Sequence, residues 1–358
     1  MQNRFRRAEK KISMKINTKT ISNSKVAIFS DLHLGIYADS EDWGNVAIEW
    51  AKDVRSKLLE AKIDTIFFLG DFFHNRTDVN VATIHTGATI LDIFKDFNLF
   101  VIVGNHDAYY KNRSDIHSLG LMRHWSNIEL IDKPKTYKIN NKICHFVPWF
   151  NEVAVECDYL FGHFETVSFQ MNNYKVCDHG ILPTELLKYS SSIFSGHFHK
   201  KSVKKYSEGS ITYVGNTFPM DFNDEGDVKG IYILDLNTGK TEFVENEVSP
   251  RYIRVIVKDK DYKPDNKVKG NVVKLVINND IDEKDVYSIL GRVRKKSPFL
   301  LDYDYSNKVI DINGEIDDED DIGYVEYFEK YIEELDLDDN IKEMSLEKLE
   351  TLYDLHKF

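Results

Sequence analysis

No stretch of this chain approaches the about 18 to 20 uninterrupted apolar residues that a bilayer-spanning helix requires. The N-terminus also lacks the apolar centre of a secretory leader, so no membrane role and a cytoplasmic location are the expectations. Cysteine is scarce: Cys144, Cys157 and Cys177 are odd in number and never spaced Cys-x-x-Cys. A disulfide framework and a zinc knuckle are thereby excluded, and the three thiols read as reduced packing residues. An excess of positive charge is missing too. The net charge is -12, but residues 315 to 358 hold 17 acids against 4 bases, which leaves the remaining chain almost neutral. Acidity is a property of the tail.

What is present is a core-forming chain of 358 residues, 42% hydrophobic and 13% aromatic, large enough for one sizeable domain and a smaller one. Residues 1–24, with MQNRFRRAEKKIS at their head, are expected to form a disordered basic arm, and Met14 offers a second start. From Lys25 onward short apolar runs recur: KVAIFS, DTIFFLG, LFVIVG, CDYLFG and SSIFSG. Between the first three lie segments of helical periodicity at 44–62 and 81–97, and strand-like SITYVGN and GIYILDL follow later. Strand, helix, strand alternation predicts an α/β domain over 25–248 with a largely buried sheet. After Pro250, RYIRVIVKD, NVVKLVIN, a helical KDVYSILGRVRKK and KVIDIN predict a small α/β domain over 249–314. Apolar spacings of three and four in 315–358 predict two amphipathic helices in an acidic tail, suited to a protein surface.

The runs share one property: each ends in metal-type ligands. They close with Asp31 and His33 in SDLHLG, Asp71 and His74 in GDFFHNR, and Asn105, His106 and Asp107 in GNHD. His163 and Glu165 follow in GHFE, then His197 and His199 in GHFHK. On an extended strand positions i and i+2 share a face, so His197 and His199 can converge on one point. Carboxyl ends of strands in an α/β sheet line the crevice where ligands bind. The set is too large for one tetrahedral zinc and fits two ions. Mixed imidazole, carboxylate and amide donors favour manganese or iron, with magnesium the poorer match. Two ions bridged by a carboxylate orient and neutralise a phosphate, so phosphoester hydrolysis is the matching chemistry.

The series D-x-H, G-D, G-N-H-D, G-H and G-H-x-H resembles the calcineurin-like metallophosphoesterase superfamily over roughly residues 25 to 220. The resemblance implies a four-layer α-β-β-α sandwich, here with a small α/β capping domain and a C-terminal helical tail. GDFFHNR and GNHD, together with PWF at 148–150, resemble the nuclease subunits of SbcCD-type double-strand-break repair complexes, phage recombination endonucleases among them. The resemblance implies that Asp31, His33, Asp71 and His199 hold one manganese. It gives Asp71, Asn105, His163 and His197 to the other, with Asp71 as the bridge. His106 would assist the departing sugar oxygen and His74 would position the phosphodiester. Glu165 and Asp107 would support ligands; His85, His117, His124, His145, His179 and His356 receive no role. The implied activity is 3′ to 5′ duplex exonuclease and single-strand endonuclease action in DNA recombination and repair. Its implied partners are DNA, a coiled-coil SbcC-type ATPase gripped by the tail helices, and a second copy of the chain; a phage-encoded protein would work in the host cytoplasm. The rival expectations are a phosphoesterase of small substrates, such as a cyclic-nucleotide phosphodiesterase or phosphomonoesterase, and a non-catalytic scaffold. The basic runs HKKSVKK and RVRKK read as solvated faces.

Overall fold

The computed structural model describes residues 16–306. The start at Met1 or Met14, the KVIDIN segment and the two tail helices lie outside the described residues. Two sheets pack face to face. The first has the order β13-β12-β2-β3-β4-β5, from Lys25–Phe29 (β2), Thr65–Phe68 (β3), Asn98–Ile102 (β4), Ile128–Ile131 (β5), Gly230–Asp235 (β12) and Thr241–Glu245 (β13). The second has the order β1-β6-β7-β8-β9-β11-β10. It comprises Ile16–Lys19 (β1), Lys135–Ile139 (β6), Lys142–Val147 (β7), Tyr159–His163 (β8), Ser192–Gly196 (β9), Ser202–Lys205 (β10) and Ser210–Tyr213 (β11).

The central strands are buried on both faces, which is why they read as continuous apolar runs and not as alternating ones. In β3, Phe67 faces the second sheet, where it meets Phe146 and Phe161, and beside it Phe100 of β4, at ring separations of 4.8 to 5.2 Å. Phe68 faces the other way, toward Phe29 and Phe72. That outer face is covered by α2 (Glu41–Glu60) and α3 (Val81–Ile93). Helix α2 buries Trp43, Val46, Ala47, Trp50, Ala51, Val54 and Leu58, one stripe at helical spacing, and carries Glu41 and Asp42 where the helix dipole favours anions. Helix α3 starts where the Asn80 side chain accepts from the Ala82 amide at 2.8 Å. It ends at Ile93, four residues before the periodicity runs out, because Phe94 and Phe97 turn inward to fill the core. Over the second sheet the fourth layer consists mainly of loops, with the single-turn α4 (Pro183–Leu186).

One boundary departs from expectation. Within the expected basic arm, residues 16–19 form β1, an edge strand pairing in parallel with β6, and Ile21 is buried after it. This parallel partner sits 120 residues away in sequence (Ile16 opposite Thr136), beyond the reach of any local pattern. The small domain has the sheet order β14-β15-β16, from Tyr252–Val257 (β14), Val272–Ile277 (β15) and Leu300–Tyr305 (β16), with α5 (Glu283–Arg294). It joins the larger body through aromatic rings: Trp43 stacks on Tyr252 at 5.9 Å and meets Phe299 edge-on at 5.5 Å. Tyr37, in the turn α1 (Ile36–Asp39), lies 2.9 Å from the Tyr252 hydroxyl. Residues 37, 38 and 39 all adopt left-handed backbone angles, a strained turn that this contact helps to hold.

Candidate metal centre

The strand ends of both sheets meet at one place. After β2 come Asp31 and His33, after β3 Asp71 and His74, and after β4 Asn105 and His106. The second sheet brings His163 at the end of β8 and His197 and His199 just beyond β9. Asp31, His33, Asp71 and His197 all have positive φ, from 45° to 89°, which non-glycine residues adopt at a cost of roughly 1 to 3 kcal/mol each. Backbone bonds hold these bends. Asp31 donates to the Gly70 carbonyl at 2.9 Å, and Leu32 and His33 donate to the Asp71 carbonyl at 2.9 and 3.1 Å.

All nine predicted residues belong to this cluster. Asp31, His33 and His199 bring one ligand atom each to within 4.8 Å of one another. Asp71, His163 and His197 do the same, as do His33, His74 and His106. Asn105 Oδ1 faces His163 Nε2 at 2.7 Å and His197 Nδ1 at 2.8 Å. Asp71 Oδ2 lies between the two groups, 3.7 Å from His33 Nε2 and 3.2 Å from His163 Nε2. Its other oxygen accepts from the His106 amide at 2.9 Å.

The donor chemistry fits a pair of cations. His163 Nδ1 donates to the Leu69 carbonyl at 2.7 Å, which aims Nε2 at Asp71 Oδ2, 3.2 Å away; burial opposes charge on this ring, but the Asp71 carboxylate raises it to about 9, so a bound cation would take the place of the Nε2 proton. His33 Nε2 and His199 Nε2 face each other at 3.0 Å, where one ring donates to the other and a shared cation could replace the proton between them. Burial, and then the neighbouring Asp71 charge, push the Asp31 carboxyl up to about 7. Burial opposes ionisation of Asp71 as well, yet His163 and His106 hold its carboxyl well below the usual range. Burial lowers His33, His197 and His199, so these imidazoles are kept neutral, the form that binds metal.

Asp107 accounts for the loops that carry the ligands. Its Oδ1 accepts from the amides of Phe72 and Phe73 at 2.9 and 3.1 Å, and its Oδ2 from those of Asp71 and Gly104 at 2.9 and 3.0 Å. Burial and the Asp71 charge raise its own carboxyl to about 7. Gly104 permits this approach: a Cβ there would lie 2.9 Å from Asp71 Cγ and closer still to the Asp71 amide nitrogen. Sequence reasoning missed Lys229, which is buried and donates to the His199 carbonyl at 2.9 Å and to Asp224 at 2.5 Å. No motif marks a lone lysine 30 residues downstream. The lysines of HKKSVKK are engaged locally: Lys200 bonds Asn173, Lys201 lies over the Phe243 ring and Lys204 over the Phe169 ring.

The calcineurin-like phosphoesterase family matches residues 24–201, the span that supplies all nine candidate residues. Those residues are a calcineurin-like phosphoesterase domain. The wider chain is 28% identical over 307 residues to "Exonuclease subunit 1" of Enterobacteria phage T4, covering 80% of this chain and 88% of that one. It is 22% identical over 229 residues to "DNA double-strand break repair protein Mre11" of Methanocaldococcus jannaschii, covering 57% and 61% respectively. Among solved structures it is similar to an archaeal phosphodiesterase at 12% identity, covering 62% of this chain and 99% of that one with a TM-score of 0.37. A divalent-metal phosphoester hydrolase is the class to which the domain belongs. Among the described residues, no helix is long and apolar enough to cross a membrane.

Proposed function

We propose that the chain is the nuclease subunit of a DNA recombination and repair complex, a manganese-dependent 3′ to 5′ duplex exonuclease and single-strand endonuclease. The observation that carries this reading is the position of Asp71, one carboxylate between two ligand groups, in a chain similar to an exonuclease subunit. One site would comprise Asp31, His33, Asp71 and His199, the other Asp71, Asn105, His163 and His197. Two manganese ions, when bound, supply charge neutralisation and an activated water for in-line displacement at phosphorus.

The chain's own groups do the rest. His106 donates its Nδ1 proton to the His74 carbonyl at 2.7 Å, so its Nε2 is the nitrogen left to exchange a proton with substrate. Protonated there, it delivers that proton to the departing sugar oxygen. His74 stacks on His106 at 5.6 Å and reaches His33 Nδ1 at 3.4 Å, a position from which it orients the phosphodiester. The word "subunit" in the phage relative's name supports a partner, here a coiled-coil ATPase. For a second copy, the exposed face of α3 offers Val81 and Ile84, and Leu121 and Trp125 stand nearby around an apolar cavity of about 370 Å³.

The test is an end-labelled linear duplex incubated with the purified chain and manganese, beside magnesium-only, chelator and Asp71→Asn samples and a small chromogenic phosphodiester. Manganese-dependent shortening of DNA that vanishes in Asp71→Asn is expected. Rapid turnover of the small ester with intact DNA, also in the presence of an ATPase subunit, would overturn the nuclease reading in favour of a small-substrate phosphoesterase.

A further inference from the structure

Beside the nine-residue centre, the described residues bring together one further ligand-type cluster: Glu165, Cys177 and His179, with one ligand atom each within 4.8 Å of the others. His179 Nε2 faces Glu165 Oε1 at 3.1 Å. Its other nitrogen, Nδ1, is 2.8 Å from Asp178 Oδ1. That pairing of carboxylate, imidazole and inward-facing Nε2 is the arrangement that orients metal-binding histidines and fixes their tautomer. Cys177 contributes a buried sulfur, which now donates to the His179 carbonyl at 3.2 Å.

The backbone beneath these side chains is braced. Ser168 and Cys177 exchange with their neighbours through Ser168 N to Cys177 O at 2.6 Å and Cys177 N to Phe169 O at 2.8 Å. Ile181 N donates to Glu165 O at 2.8 Å, and Val167 N donates to Ile181 O at 3.1 Å. Gly180 has φ 93°, and a Cβ there would lie 2.9 Å from the Glu165 carbonyl carbon, so the two segments touch through bare backbone. Ligands on such a scaffold are held near one geometry before any ion arrives.

We propose that Glu165, Cys177 and His179 form a third metal site, separate from the phosphoesterase pair and selective for a thiolate-seeking divalent ion such as zinc. One sulfur, one imidazole and one carboxylate make three protein ligands, and solvent completes a tetrahedron. Binding removes the thiol proton of Cys177 to solvent, so affinity rises with pH. The catalytic cluster contains no sulfur, and the two sites therefore differ in ligand class.

The sites share a neighbour. Glu165 Oε1 is 3.7 Å from His197 Nε2, and His197 Nδ1 points into the catalytic cluster at Asn105. An ion that engages Glu165 neutralises the carboxylate beside His197, and so zinc at the third site is expected to lower manganese affinity at the catalytic pair.

Cobalt(II) is the probe, added to the metal-free full-length chain while the electronic spectrum is recorded. An intense near-ultraviolet thiolate-to-cobalt charge-transfer band is expected, present in Cys157→Ser and lost in Cys177→Ser. Because Cys177 is buried, His179→Gln provides a second variant on a half-exposed position. It is expected to weaken the band's cobalt titration about tenfold or more while leaving the circular dichroism spectrum and manganese-dependent hydrolysis unchanged. Absence of the band, or a band that survives Cys177→Ser, would overturn the proposal. The readout does not depend on cleavage of DNA, so a chain inactive as a nuclease would still answer it.

Discussion

Lys229 donates from its ammonium to the backbone carbonyl of His199 at 2.9 Å, placing a buried cation directly behind a metal-type ligand. The same nitrogen pairs with Asp224 at 2.5 Å, and Asp224 Oδ2 accepts from the Asn216 side chain at 3.0 Å and the Met220 amide at 2.8 Å. Met220 in turn offers its carbonyl to the hydroxyls of Tyr37 and Tyr252. One polar chain thus runs from the metal centre to the small domain.

Lys229→Met is expected to lower stability by about 3 to 5 kcal/mol, because it strands a buried carboxylate. Urea unfolding checks this, and the double variant Lys229→Met, Asp224→Asn should recover most of the loss. Equal losses in single and double variants would show that the charge pairing does not matter.

Asp107→Asn removes one of the two oxygens that collect four backbone amides. Two amides lose their acceptor at about 1 to 3 kcal/mol each, partly offset by the relief of repulsion with Asp71. A net loss of about 2 kcal/mol and a 10- to 100-fold drop in manganese affinity by calorimetry are expected. Unchanged affinity would mean that loops 70–73 and 104–107 keep their relation without Asp107.

Gly104→Ala places a methyl against the Asp71 amide and carboxylate. Backbone cannot yield as a flexible side chain does, so Asp71 must move, and a displacement of about 1 Å can cost 100-fold in rate. Manganese-dependent hydrolysis should fall by at least that factor while the circular dichroism spectrum is retained.

His145 governs a pH response away from the metal centre. Its ring is buried in β7 beside Thr136 Oγ1 at 2.9 Å, and burial pushes its pKa down to about 4. The unfolded chain keeps an ordinary value near 6.5, so between about 6.5 and 4 the unfolded state takes up a proton that the folded state refuses. The stability that neutral His145 contributes is whole above about 6.5 and drains away as pH falls toward 4, by about 3 kcal/mol in all. The stability of wild type relative to His145→Gln, followed by unfolding across that window, should fall by this amount in total; a constant difference would exclude His145 as a source of acid sensitivity.

That the nine candidate residues gather in one place was legible in sequence because each follows an apolar run at once, and strand ends converge by topology whatever the intervening loops do. Chemistry carried by isolated residues was not. Lys229 and Asp224 form a pair only after β11 and β12 are placed, and Cys177 and His179 face Glu165 only through a loop that Gly180 lets fold back. Strand β1 shows the same limit in the fold: four residues of mixed polarity gain their identity from β6, far along the chain. Periodicity located α2 and α3, since burial on one face is written every three or four residues, but the end of α3 was decided by two phenylalanines that the core needed.

Asp31, Asp71 and Asn105 issue from one sheet, and His163, His197 and His199 from the other. Ions held between them would act as a clasp on the seam of the sandwich, and their binding free energy would count as cohesion between the two layers. At a hundredfold excess over the dissociation constant that cohesion is about 2.7 kcal/mol. A cell that starves the protein of metal would therefore loosen its architecture at the same moment as it silences its chemistry.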